Sequence, residues 1–134
     1  MKGILSLVLG AGILAVAACR EATEPASPGA TGDVQAAGQI GNLPGTRQLA
    51  DTGVTGQARQ TLENIKAVLT YVGSSLERVV KCTVFLADIR DYAKMNEVYS
   101  TYFPKDPPAR STVAGSGLAL GARVEIECMA MVGP

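Results

Sequence analysis

Two short segments in the last quarter of the chain carry the residue types best suited to chemistry. The first is Pro107-Pro108-Ala109-Arg110-Ser111-Thr112-Val113, and the second is Val124-Glu125-Ile126-Glu127, whose first carboxylate comes fifteen residues after the arginine. Two consecutive prolines cannot continue a helix, and they force extended backbone just before Arg110. Side chains alternate along a strand, so Arg110 and Thr112 share one face. A run of small, Gly-rich residues from Ala114 to Gly121 follows, and alternation then resumes from Val124 to Val132. The pattern predicts two strands that neighbour each other in an antiparallel sheet. In that pairing Arg110 and Glu125 would border one pocket. A guanidinium there can grip a carboxylate with two parallel hydrogen bonds, and a Glu can orient or deprotonate a water. A solvated ion pair across a hairpin satisfies the same spacing.

The elements that must position these residues occupy about 100 residues, the size of one small domain. A strand over Val34–Ile40 closes at the turn residues Gly41, Asn42, Pro44 and Gly45. A helix from about Thr55 places Ala58, Leu62, Ile65, Leu69 and Val72 at helical spacing, with Arg59, Glu63 and Lys66 on its polar side and Gly73 as its stop. Arg78 to Leu86 reads as a strand whose even positions Val80, Cys82, Val84 and Leu86 are buried. Asp88 or Asp91 caps a second helix with Tyr92, Met95, Tyr99 and Tyr102 or Phe103 as its buried stripe, ended by Pro104. The order strand–helix–strand–helix–strand–strand implies an α+β domain with both helices on one face of the sheet.

Composition closes off several classes of function. The chain has no histidine, which excludes His-based triads and removes the commonest zinc ligand. Lys+Arg and Asp+Glu number 12 each, so no net positive charge draws nucleic acid or an anionic membrane. Cys82 and Cys128 lie on the apolar parity of their strands, which predicts small buried hydrophobes with free thiols.

The N-terminal end has a different purpose. Lys2 precedes the apolar run Ile4 to Ala18, which is short of the about 20 residues a bilayer span needs and suits the core of a signal peptide. Val16-Ala17-Ala18-Cys19 resembles the bacterial lipobox, in which the cysteine is acylated and becomes the mature N-terminus. Arg20 rather than Asp after it favours outer-membrane sorting on the same resemblance. Glu21 to Asp33 has no branched aliphatic or aromatic residue and reads as a tether. The expected organisation is a leader over 1–18, a tether over 19–33 lipidated at Cys19, and a domain over 34–134. The product is an exported, membrane-anchored protein at a periplasmic face or the cell surface.

Several segments of the domain together resemble one family. They are Ala37-Gly38-Gln39-Ile40-Gly41, Gln57 to Lys66, Val79 to Leu86, Met95-Asn96-Glu97-Val98-Tyr99, Pro108 to Val113, and Gly121 to Glu127, of which the last two are the most specific. The family is that of the Rid (YjgF-like) enamine/imine deaminases, and the similarity covers about residues 34–132. The resemblance implies a chorismate-mutase-like fold, mostly antiparallel, assembled as a homotrimer with a pocket at each subunit interface. It implies hydrolysis of reactive 2-imino acids to 2-keto acids and ammonia, without a metal or organic cofactor. Carried over, Arg110 would bind the substrate carboxylate and Glu125 would position the attacking water. Backbone groups of Gly38 and Thr112 would contact the imine end, and Glu127 would be structural. The family often has Cys where this chain has Thr112, and a backbone role survives that change.

The chain departs from the family pattern at its start. Where the family has an apolar first strand after a tyrosine-bearing segment, this chain has Glu21 to Asp33, so the first strand is expected to be shortened or missing. Such a loss exposes a sheet edge and thins a pocket wall. Ala37 also replaces the serine usual before Gly38. Two classes of function follow: an exported imine deaminase, or a non-catalytic relative that binds a small carboxylate or a partner.

Overall fold

The computed structural model describes residues 32–133. The leader, Cys19 and residues 19–31 of the tether lie outside the described residues, and with them the expected loss of the first strand. Strand β1 (Gly32–Ile40) is followed by helix α1 (Val54–Tyr71), strand β2 (Val79–Leu86), helix α2 (Tyr92–Tyr102), and strands β3 (Ala109–Ala114) and β4 (Val124–Val132). The alternation of elements is the one expected, and β1 begins two residues before Val34. Helix α1 stops where glycine was expected to stop it: Gly73 adopts φ 76°, and its N–H returns to the carbonyl of Thr70.

The strands form one sheet in the order β1-β4-β2-β3, antiparallel except for the parallel pair β2–β3. Helices α1 and α2 cover one face. Leu62, Ile65 and Leu69 from α1, and Met95, Val98 and Tyr99 from α2, join Val84, Leu86, Val124 and Ile126 in one buried core. Burying each such aliphatic side chain contributes about 1.5–3 kcal/mol relative to leaving it exposed.

Strands β3 and β4 are not neighbours, contrary to the reading of the sequence. Strand β2 lies between them, and the loop that joins them passes over its C-terminal end. Gly115 donates its N–H to Leu86 O at one side of that loop, and Ala87 donates to Arg123 O at the other. Alternation defines the faces of a strand but carries no information about its lateral partner, and consecutive strands are adjacent only about two-thirds of the time. The apolar β2, buried at Val79, Cys82, Val84 and Leu86, takes a central position instead.

Three smaller expectations are also corrected. Val80 is 48% exposed, because a bulge between Val79 and Lys81 places an extra residue in β2 and Val79 is buried in its stead. Tyr92 is 40% exposed and leaves the buried stripe of α2 to Met95, Val98, Tyr99 and the flanking Phe103. Cys82 and Cys128 are not free thiols. They face each other directly across β2 and β4, with Cα atoms 4.1 Å apart, and form a disulfide. Strand parity buries each of them separately, and only the register of the two strands brings them opposite.

Candidate functional site

Glu125 lies between Val124 and Ile126, whose side chains are fully buried under the helices, so its carboxylate projects from the other, open face of the sheet. Phe85 of β2 and Ile40 of β1 flank it in register. Strand β1 is irregular between Ala36 and Gln39, where Ala37 and Gly38 have no register partner on β4. The bulge brings Gly38 against Glu125 so closely that a Cβ there would stand 2.0 Å from the Glu125 carboxylate oxygen Oε1. Glu125 makes no hydrogen bond or ion pair with another described residue.

Helix α1 fixes this corner. Asn64 Nδ2 donates to the carbonyls of Ile40 and Asn42, at 3.1 and 3.0 Å, and pins the end of β1. Gly41 packs so tightly that a Cβ would meet the backbone oxygen of Gln57 at 2.6 Å. The buried Gln57 accepts the N–H of Arg123 at 2.8 Å and donates to Asp51 O at 2.8 Å, tying the entry of β4 to the helix. Arg123 also donates its Nε–H to Asp91 at 2.9 Å, so Asp91 is an ion-pair partner and makes no cap bond to α2. Asp88 caps only the short 3-10 turn before that helix, by accepting from the Arg90 N–H.

Arg110 occupies different surroundings. Cys82 is its register partner on β2, and the row Ala36, Cys128, Cys82, Arg110 crosses the helix-covered face of all four strands. The guanidinium carbon lies 4.5 Å from the ring centre of Tyr99 and 5.6 Å from that of Tyr92. Nη2 donates to the Tyr92 hydroxyl at 2.8 Å. No described carboxylate pairs with Arg110; the described ion pairs are Arg90–Asp88 and Arg123–Asp91. Thr112 shares the face of Arg110, as expected from alternation, and pairs with Val84. Its hydroxyl is buried and makes no hydrogen bond to a described residue, and the same holds for that of Tyr99. Burial pushes the Tyr99 phenol up to about 12, with the Arg110 guanidinium pulling in the opposite direction.

Arg110 and Glu125 therefore stand on opposite faces of one sheet, and the expectation that they border one pocket within a chain is corrected. Strand β2 separates their strands, and their parities differ. Gly38 and Glu125 form one half-site, on the open face. Arg110 and Thr112 form another, on the edge strand beneath α2. Glu127 shares the open face with Glu125 but faces Thr83 and lies 3.5 Å from the Gln35 side-chain amide. Helical spacing places Tyr92 and Tyr99 only in the core. Their spacing of two helical turns, with a hydroxyl on each ring, was the available signal. Among the described residues no group of three or more acidic or cysteine side chains is placed to hold a metal.

The family model described as endoribonuclease L-PSP matches residues 23–132. The chain belongs to that family, the Rid (YjgF-like) family. It is 43% identical over 101 residues to the 2-iminobutanoate/2-iminopropanoate deaminase of Rattus norvegicus, covering 75% of this chain and 74% of the relative. It is 46% identical over 94 residues to the protein DfrA of Myxococcus xanthus, covering 70% and 72%. Among solved structures, RidA from an Antarctic Psychrobacter superposes with a TM-score of 0.71 at 36% identity, over 83% of this chain and 95% of that one. The YjgF-like fold and its four-stranded mixed sheet with two helices agree with the architecture expected from the sequence.

Proposed function

We propose that this Rid-family domain hydrolyses 2-imino acids, or their enamine tautomers, to 2-keto acids and ammonia. The observation that carries the reading is the state of Arg110. It is a half-buried cation, packed on aromatic rings, with no described carboxylate beside it. Desolvating a cation without a counter-charge costs stability, and a substrate carboxylate supplies that charge with a two-pronged geometry. The relatives named 2-iminobutanoate/2-iminopropanoate deaminase support the same substrate class.

In this reading Arg110 binds the carboxylate, and backbone groups of Thr112 and Gly38 contact the imine end. The Glu125 carboxylate, which has no partner among the described residues, holds a water and accepts its proton as the oxygen attacks the imine carbon. Nitrogen is protonated as the tetrahedral carbinolamine forms and collapses, and ammonia leaves as the carbonyl forms. An imine carbon is already electrophilic, so positioning the two reactants supplies much of the rate. The reading invokes no cofactor.

Because the two half-sites face apart within one chain, a complete site joins Arg110 and Thr112 of one subunit to Gly38 and Glu125 of the next, in a homotrimer. The buried disulfide supports an oxidising compartment, and with it export through the leader; anchoring at Cys19 rests on the lipobox-like run that precedes it.

Complementation tests the shared site. Arg110→Ala and Glu125→Gln should each reduce ammonia release from in situ generated 2-iminopropanoate by about 10²-fold or more. Co-expressed at equal levels, they should recover about a quarter of wild-type activity, the share of sites in a closed ring that take an intact Arg110 from one subunit and an intact Glu125 from its neighbour. Co-assembled variants that stay inactive would refute a site shared between subunits. A wild-type protein that binds 2-oxobutanoate but releases no ammonia would be a carboxylate-binding module.

A further inference from the structure

We infer that Tyr92 contributes a second donor to the bound carboxylate and that the ring of Tyr99 is a positioning surface for Arg110. The inference rests on the proposed role of Arg110 in binding the substrate carboxylate and adds the residues that set its geometry. Tyr92 opens helix α2 and Tyr99 lies two turns later, so both rings fall on the helix face that looks towards β3. Arg110 reaches them from the parity of its strand that faces the helices.

The hydrogen bond between Arg110 and Tyr92 runs in an informative direction. Nη2 donates and the phenol oxygen accepts, so the phenol's own proton is not used in this bond. No other hydrogen bond of the Tyr92 hydroxyl is formed among the described residues. A guanidinium offers two edges that include Nη2, one shared with Nε and one with Nη1. The bond to Tyr92 occupies one Nη2 hydrogen and leaves the other edge whole, which is what a two-pronged carboxylate contact requires. A carboxylate on that edge lies beside the phenol, within reach of the unused proton. Tyr92 is 40% exposed, so this approach is open to solvent.

Tyr99 acts differently. Its ring is buried and is held in a tilted contact with Phe103 at 4.7 Å between ring centres. It therefore presents a fixed face beneath the guanidinium, 4.5 Å from its central carbon. A cation on an aromatic face is attracted to it and restricted in tilt. Arginine otherwise brings substantial side-chain entropy to a binding event, and prior ordering reduces that cost. The ring, and not its buried hydroxyl, performs this task.

The test measures binding of a simple 2-keto acid, 2-oxobutanoate, by calorimetry on the full assembled protein, beside steady-state deamination. Tyr92→Phe keeps the ring and deletes the donor. It should weaken 2-oxobutanoate binding and raise KM by roughly 10-fold or more, the scale of one hydrogen bond to a charged group, with kcat within about twofold, because a uniform binding contact is lost. Tyr99→Leu should weaken binding by a similar factor, and Tyr99→Phe should rescue most of it. Glu97→Gln, on the exposed side of the same helix, is the control for α2 as a whole. Unchanged 2-oxobutanoate affinity in Tyr92→Phe would overturn the donor role, and this holds even if Tyr99→Leu fails to fold. Equal weakening in Tyr99→Phe and Tyr99→Leu would overturn the ring's positioning role. Failure of the underlying reading is distinct: wild type would then bind no 2-oxobutanoate, or Arg110→Ala would bind it undiminished.

Discussion

Replacing Gly38 by alanine tests the proposed water-positioning corner with one methyl group. The added Cβ would stand 2.0 Å from Glu125 Oε1, 3.0 Å from its Cδ and 3.4 Å from its Cγ. Ordinary contact between a methyl carbon and an oxygen is about 3.4 Å or more, so the carboxylate must retreat by more than about 1 Å. A displacement of that size at a reacting group costs about 10²-fold in rate. The fold itself is spared. Gly38 is exposed, is not among the glycines with positive φ, and would meet only the movable end of an exposed-face side chain. The stability change should stay within about 1 kcal/mol, because the clash falls on the far end of a flexible side chain and not on backbone. Ammonia release from 2-iminopropanoate, thermal unfolding and 2-oxobutanoate binding, measured together, give the answer. The expected result is lost turnover with an unchanged melting temperature and a largely preserved affinity through Arg110. Turnover within threefold of wild type would show that the position of Glu125 against Gly38 does not matter to the chemistry. A large fall in stability would show that the bulge is not free to yield as argued.

Other substitutions separate the remaining roles. Glu125→Gln should lower deamination by about 10²-fold, whereas Glu127→Gln, whose partner is the Gln35 amide, should alter stability or assembly more than rate; ammonia release and sizing chromatography distinguish the two, and the reverse pattern would exchange the assignments. Arg110→Lys should bind 2-oxobutanoate nearly as poorly as Arg110→Ala, since a point charge does not reproduce the two-pronged grip or the stacking on Tyr99. Reduction of the Cys82–Cys128 bond, which spans a separation of 46 residues, should cost about 4 kcal/mol on the chain-entropy model; urea unfolding at fixed protein concentration, with and without reductant, measures it. Cys19→Ser should release the protein from the membrane fraction, because the thioether-linked lipid needs the thiol and stable anchoring takes more than one acyl chain; equal partitioning of mutant and wild type would reject a lipid anchor.

Much of the molecule was determined by the sequence alone. Periodicity is a local property: an apolar residue every third or fourth position made α1, Gly73 ended it, and alternation put Thr112 beside Arg110 and set Glu125 against the parity of Val124 and Ile126. The motif around Arg110 and Glu125 was sufficient to suggest the family. Lateral relations were decided only by the tertiary structure. No pattern within β3 or β4 shows that β2 comes between them, because the choice depends on which strand the core can bury on both flanks. The register that places Cys82 opposite Cys128 is likewise a relation between β2 and β4 that neither strand's own pattern contains, and the bulges at Ala37–Gly38 and Val80 shift the pairing by one residue elsewhere in the sheet. Tyr92 left the apolar stripe because its hydroxyl meets Arg110, a contact made across the sheet and helix rather than along the chain. The opposite facing of Arg110 and Glu125 follows from the same cause. Each side chain's parity is written in its own strand, but where the two parities point relative to each other is fixed only when the strands are laid side by side.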